Sequence, residues 1–133
     1  MSRRVRNFLL SVVSLTCGGL LYVLFRETTY LSKIFERLPF VSHSREVVSF
    51  LSCDFVAFYL PDFLWGFALC SGLLAIFDSG IRGSLVCVLT ALFWGVAWEM
   101  AQYAGVVSGT GDVVDILMYL VAAGVAVIIH VKG

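Results

Sequence analysis

Glu99 and Gln102 stand three residues apart in one apolar stretch, and Asp112 and Asp115 stand three apart at the start of the next. An i, i+3 spacing puts each pair on one helix face. Tyr119 continues the second face. The intervening turn, 104–111, is short, so both pairs should meet at one level of two antiparallel helices. Ionisable groups inside a membrane segment are costly and turn toward a bundle interior or a wet cavity. If Glu99 and Asp115 are close, both cannot readily be ionised. Such a pair can carry a proton, hold a cation, or serve as general acid and base. With Gln102 and backbone carbonyls it can also offer oxygens to a divalent ion. The spacing leaves these open. Structural roles stand beside them: Asp112, after Gly109-Thr110-Gly111, is a natural N-cap, and Glu99 can bond Gln102, Tyr103 or Tyr119.

No metal spacing, nucleophile–histidine–acid set or phosphate loop accompanies the cluster, and no cofactor is named by the sequence. His43 reads as a loop residue and His130 as a membrane-interface residue. The cysteines Cys17, Cys53, Cys70 and Cys87 are far apart, without a CxxC pair, and read as small hydrophobes.

The elements that must position the cluster are apolar helices. Of 133 residues 60% are hydrophobic and 14% charged, the formal net charge is zero, and the mean hydropathy is +0.97. That is too much apolar surface for a soluble core, and no basic footprint points to nucleic acid. A spanning helix needs about 20 apolar residues. Four runs qualify, at about 8–25, 61–77, 84–103 and 112–131, giving one all-α domain over 1–133, an integral membrane four-helix bundle. Pro61 suits the first turn of the second span, and Asp62 there complements the helix N-terminus. Whatever precedes Pro61 forms a separate helix or a bend.

Arg3, Arg4 and Arg6 place the N-terminus in the cytoplasm by the positive-inside rule, four crossings return the C-terminus there, and Arg82 falls in a cytoplasmic turn. The acid cluster then faces outward. Between the first two spans, Leu31, Ile34, Phe35 and Leu38 follow i, i+3, i+4, i+7 with Lys33, Glu36 and Arg37 between them. That is an amphipathic outer-face segment suited to the membrane surface. From Phe55 to Val131 the only base is Arg82, so Arg37 or Arg45 is a candidate counter-charge for the acids. Trp65, Trp94 and Trp98 read as lipid-facing or interfacial. Trp94, Trp98 and Gln102 also share a face, an aromatic wall suited to a lipid chain beneath a polar headgroup. Ala122, Ala123, Gly124 and Ala126 form a small-residue patch for close helix packing.

The order Glu99-x-x-Gln102, a turn, then Asp112-x-x-Asp115, in the last two spans of a small four-span chain, resembles the VanZ-like family. Leu60-Pro61-Asp62-Phe63-Leu64-Trp65 falls where that family opens its second span. The likeness covers about Pro61 to the C-terminus. It departs where the family often has an arginine in the turn (here Gly109-Thr110-Gly111), an asparagine four residues after the second aspartate (here Tyr119), and a histidine in the opening motif. The resemblance implies a bacterial plasma-membrane protein, a link to resistance to glycopeptide antibiotics of the teicoplanin type, and a polar site formed by Glu99, Gln102, Asp112 and Asp115.

The expectation is a VanZ-like protein whose outward cluster engages a membrane lipid of the cell envelope or a lipid-linked headgroup, alone, as a homo-oligomer or with a membrane-protein partner. A proton- or cation-coupled transporter and a non-catalytic assembly subunit are the alternatives. Whether it is an enzyme stays open.

Overall fold

The computed structural model describes residues 2–25, 57–77, 80–109 and 111–132. The amphipathic segment around Leu31–Leu38, the proposed counter-charges Arg37 and Arg45, His43 and Cys53 lie outside the described residues. The described residues form four helices, α1 (Arg3–Phe25), α2 (Leu60–Ile76), α3 (Gly80–Tyr103) and α4 (Val113–Lys132). Three of them, α1, α3 and α4, are long and apolar enough to cross a membrane. The fourth, α2, has 17 residues, about 25 Å at 1.5 Å per residue against a hydrocarbon core of roughly 30 Å.

Pro61 lies in the first turn of α2, where its missing N–H costs nothing, and Tyr59 is the N-cap. Ala57 and Phe58, just before this break, are also helical. Two boundaries differ from the hydropathy reading. The first helix starts at Arg3 rather than near Phe8, and α3 starts at Gly80, which puts Arg82 in its first turn instead of a loop. The α1 extension has a tertiary cause. Arg6 Nη2 donates to the carbonyl of Ile129 at 2.7 Å and to that of His130 at 3.4 Å, satisfying acceptors in the last turn of α4. Asn7 Nδ2 meets His130 Nδ1 at 2.7 Å. His130 is therefore a buried residue of the helix contact, not the interface residue its terminal position suggested.

Helix α2 is the hub. Helices α1, α3 and α4 all pack on it, and α3 also packs on α4. The core is built from Phe67, Cys70 and Leu74 of α2, Cys87 and Ala91 of α3, and Ala122, Ala123 and Ala126 of α4. The three alanines are the close-packing patch expected, whereas Gly124 is exposed and a Cβ added to it would meet nothing within 4 Å. Cys17 is exposed, unlike Cys70 and Cys87. Large apolar side chains cover the outside of the bundle, among them Phe8, Val13, Leu85, Leu89, Phe93, Leu120 and Ile128. A soluble monomer rarely exposes so continuous an apolar surface. Lipid is the solvent that makes this surface stable.

Candidate functional site

The polar end of the bundle is organised around the Tyr119 hydroxyl. Its ring lies between two glycines of neighbouring helices. A Cβ added to Gly66 of α2 would fall 2.8 Å from Tyr119 Cδ1, and one added to Gly95 of α3 would fall 2.6 Å from Cδ2. No real Cβ sits so close, so the absence of a side chain at both positions is what lets α4 push an aromatic ring between α2 and α3. The ring carries its hydroxyl to two carboxylates. Tyr119 Oη lies 3.3 Å from Glu99 Oε1 and 3.3 Å from Asp62 Oδ1. One hydroxyl proton faces two acceptors, so the trio can share a further proton, or a donor from a ligand, without rearrangement.

Glu99 has a second task. Its Oε2 accepts the backbone N–H of Asp112 at 3.1 Å, joining the end of α3 to the start of α4. Asp112 is the N-cap of α4, since its Oδ1 accepts the Val114 N–H at 3.1 Å. Its Oδ2 lies 3.5 Å from the Tyr59 hydroxyl. That negative charge, with burial and Asp115 adding to it, raises the Tyr59 phenol above its ordinary value of 10.0. Asp112→Ala should cost about 1 kcal/mol and Asp112→Ser much less. Thermal unfolding of the two detergent-solubilised variants checks this; equal losses would mean that the aspartate acts by charge rather than as a cap.

The sequence reading brought Glu99 and Asp115 together as the working pair. Asp115 is buried at the same end of the bundle, but Glu99 bonds Tyr119 and the Asp112 N–H, and not Asp115. The carboxylate that shares a partner with Glu99 is Asp62, which the sequence offered only as a helix-terminus acid. Four polar side chains here are deeply buried: Glu99 is 4% exposed, Asp115 6%, and Gln102 and Tyr119 8% each.

Gln102 stands apart from the bonded trio. Its amide lies under Gly109, whose φ is +145° and whose Cβ would fall 2.5 Å from Gln102 Nε2, so only glycine fits there. The amide faces a groove of about 900 Å³ instead. Helices α1 and α3 stand on either side of α2, and the groove runs between them. Its polar end holds Asp62, Gln102, Ser108 and Tyr119, and its far end reaches Leu73 and Ile76. Trp65, Trp94 and Trp98 form its walls and stay 42%, 60% and 50% exposed, so it opens toward the surroundings of the bundle. The shared face of Trp94, Trp98 and Gln102 read from the sequence is one wall of this groove.

Among the described residues, no group of three or more histidine, cysteine, aspartate or glutamate side chains is arranged to hold a metal ion. No protein-family model, characterised protein or solved structure matches the chain.

Proposed function

We propose that this is a four-span membrane protein of VanZ-like type that binds a lipid of the bacterial envelope, its headgroup held at the outer end by the Asp62, Glu99 and Tyr119 cluster. The observation that carries this reading is the groove. A long apolar channel with aromatic walls ends at buried polar groups, which is the shape and polarity of one amphipathic molecule. From Asp62 to Ile76 it follows about 21 Å of α2, longer than one leaflet of roughly 15 Å, so it accommodates a complete lipid chain. Orientation follows from Arg3, Arg4 and Arg6 at one end and Lys132 beside them, with the carboxylates at the other. On this reading both termini are cytoplasmic and the site faces the cell envelope. A link to glycopeptide resistance belongs to the same proposal and rests on the resemblance alone.

The groove favours lipid binding over ion transport because Asp62, Gln102 and Tyr119 gather at one end, while Leu69, Leu73 and Ile76 line the remainder with the Ser11 hydroxyl, which is bonded to the Ala68 carbonyl. A coupled transporter needs polar groups connecting both faces. Native mass spectrometry of the purified protein beside Glu99→Gln and Asp62→Asn tests the proposal. The expected result is a defined lipid carried by the wild type and lost from both variants. Bulk lipid bound alike by all three would instead favour ion coupling or an assembly subunit.

A further inference from the structure

A second hollow, of about 730 Å³, lies between α3 and α4 at the end of the bundle opposite the carboxylates. Its walls are apolar, among them Leu85 and Val88 of α3 and Leu120, Val127 and Ile128 of α4. Gly124 opens it. A Cβ added to Gly124 would meet nothing within 4 Å, so close packing does not call for glycine there. Nor does the backbone, since Gly124 sits inside α4 and is not among the glycines with positive φ. Most other residues would favour the helix more, and a larger side chain would grow into the hollow that Gly124 lines.

The mouth of the hollow is basic. Arg3 lines it and is exposed. Arg82, in the first turn of α3, and Lys132, in the last turn of α4, belong to the two helices that form the walls. Arg6 takes the carbonyls of Ile129 and His130, which covers the negative end of α4. Asp78, two residues before α3, offsets one of these charges and leaves an excess of positive charge. Along α4 the hollow runs from Val131 to Leu120, about 16 Å at 1.5 Å per residue, against roughly 15 Å for one leaflet. A basic mouth above an apolar trough one leaflet deep complements an anionic headgroup with its chain, and an arginine fork suits phosphate oxygens. We infer that this groove holds an acyl chain of an anionic phospholipid from the leaflet on the Arg3 side, its phosphate beside the Arg3 guanidinium. Among the described residues the two grooves share no lining side chain, so this site stands or falls apart from the one walled by tryptophans.

The full chain is reconstituted in phosphatidylcholine vesicles with a minor fraction of phosphatidylglycerol carrying a diazirine midway along one acyl chain. Photo-adducts are mapped by peptide mass spectrometry, and phosphatidylcholine with the same labelled chain is the neutral probe. Labelling at Leu85, Val88, Val127 and Ile128 is expected to be about tenfold stronger with the anionic probe, a preference carried by two bases at the mouth. Arg3→Gln should shrink that preference to about twofold, since one arginine beside an anionic headgroup is worth about fivefold. Gly124→Leu should remove the labelling by both probes at these positions. Its unfolding midpoint should stay at or above that of the wild type, because a Cβ at this position meets nothing and leucine favours the helix. Equal labelling by the two probes would overturn the site. So would a preference unchanged in Arg3→Gln, or adducts spread evenly over the lipid-facing helices.

Discussion

Gly95→Ala should destabilise the protein by about 1–3 kcal/mol, and Gly95→Leu should prevent α3 and α4 from packing. The sign is informative. Alanine is the better helix former, and the exchange at an unconstrained helix position gains about 1 kcal/mol. Here the new methyl would sit 2.6 Å from the Tyr119 ring, whose opposite edge already meets Gly66 across a 2.8 Å gap to the same imagined Cβ. The ring has no direction in which to retreat without separating helices. The loss should therefore depend on the ring. In a Tyr119→Ala background the added methyl enters space vacated by the aromatic side chain, and Gly95→Ala should become neutral or stabilising. Thermal unfolding of the four proteins in one detergent completes the double-mutant cycle. A penalty of equal size with and without the ring would show that Gly95 is needed for some other reason, and the account of Tyr119 as a wedge gripped by two glycines would fail.

The same glycines show what was legible in the sequence and what was not. Apolar run lengths located all four helices, because burial in lipid is a local property of each segment. They misplaced the start of α1 because Arg6 is held by carbonyls of Ile129 and His130, a contact across the whole chain. Spacing alone assembled Glu99, Asp112 and Tyr119, since one short turn joins their helices. Asp62 escaped because it arrives from another helix, and its place beside Tyr119 depends on tertiary packing. A signal was nonetheless present. Asp62 and Gly66 are four apart on α2, and Gly95 and Glu99 are four apart on α3. Each acid has a glycine one turn away on its own face, toward the membrane interior. Two such acid–glycine pairs facing a tyrosine describe a slot for its ring with a carboxylate on either side of its hydroxyl. Gln102 sits elsewhere in the arrangement than its spacing implies. Its spacing from Glu99 suggested a shared network, whereas its amide opens on the groove.

Glu99→Leu and Glu99→Gln should differ sharply, and the difference separates folding from function. Leucine removes both carboxylate oxygens. The Asp112 N–H loses its acceptor at the start of α4, and the Tyr119 hydroxyl keeps only Asp62. An unsatisfied group in a partly buried position costs about 1–3 kcal/mol, so a loss of that size is expected. Glutamine has the same shape and can satisfy both contacts. Its carbonyl can take the Asp112 N–H while its NH₂ donates to the lone pairs of Tyr119 Oη, leaving the hydroxyl proton to Asp62 Oδ1. Glu99→Gln should thus change stability by less than about 1 kcal/mol, while removing one charge and fixing the direction of the Tyr119 hydroxyl. The hydroxyl then no longer chooses between two acceptors, and the proton or donor that the trio could accept has no place. Unfolding midpoints for the two variants, measured beside lipid retention, give the decisive pattern. A folded Glu99→Gln protein that has lost its lipid assigns the carboxylate to binding. A Glu99→Gln protein as unstable as Glu99→Leu would show that the charge itself holds α3 to α4, and its missing lipid would then say nothing of the site.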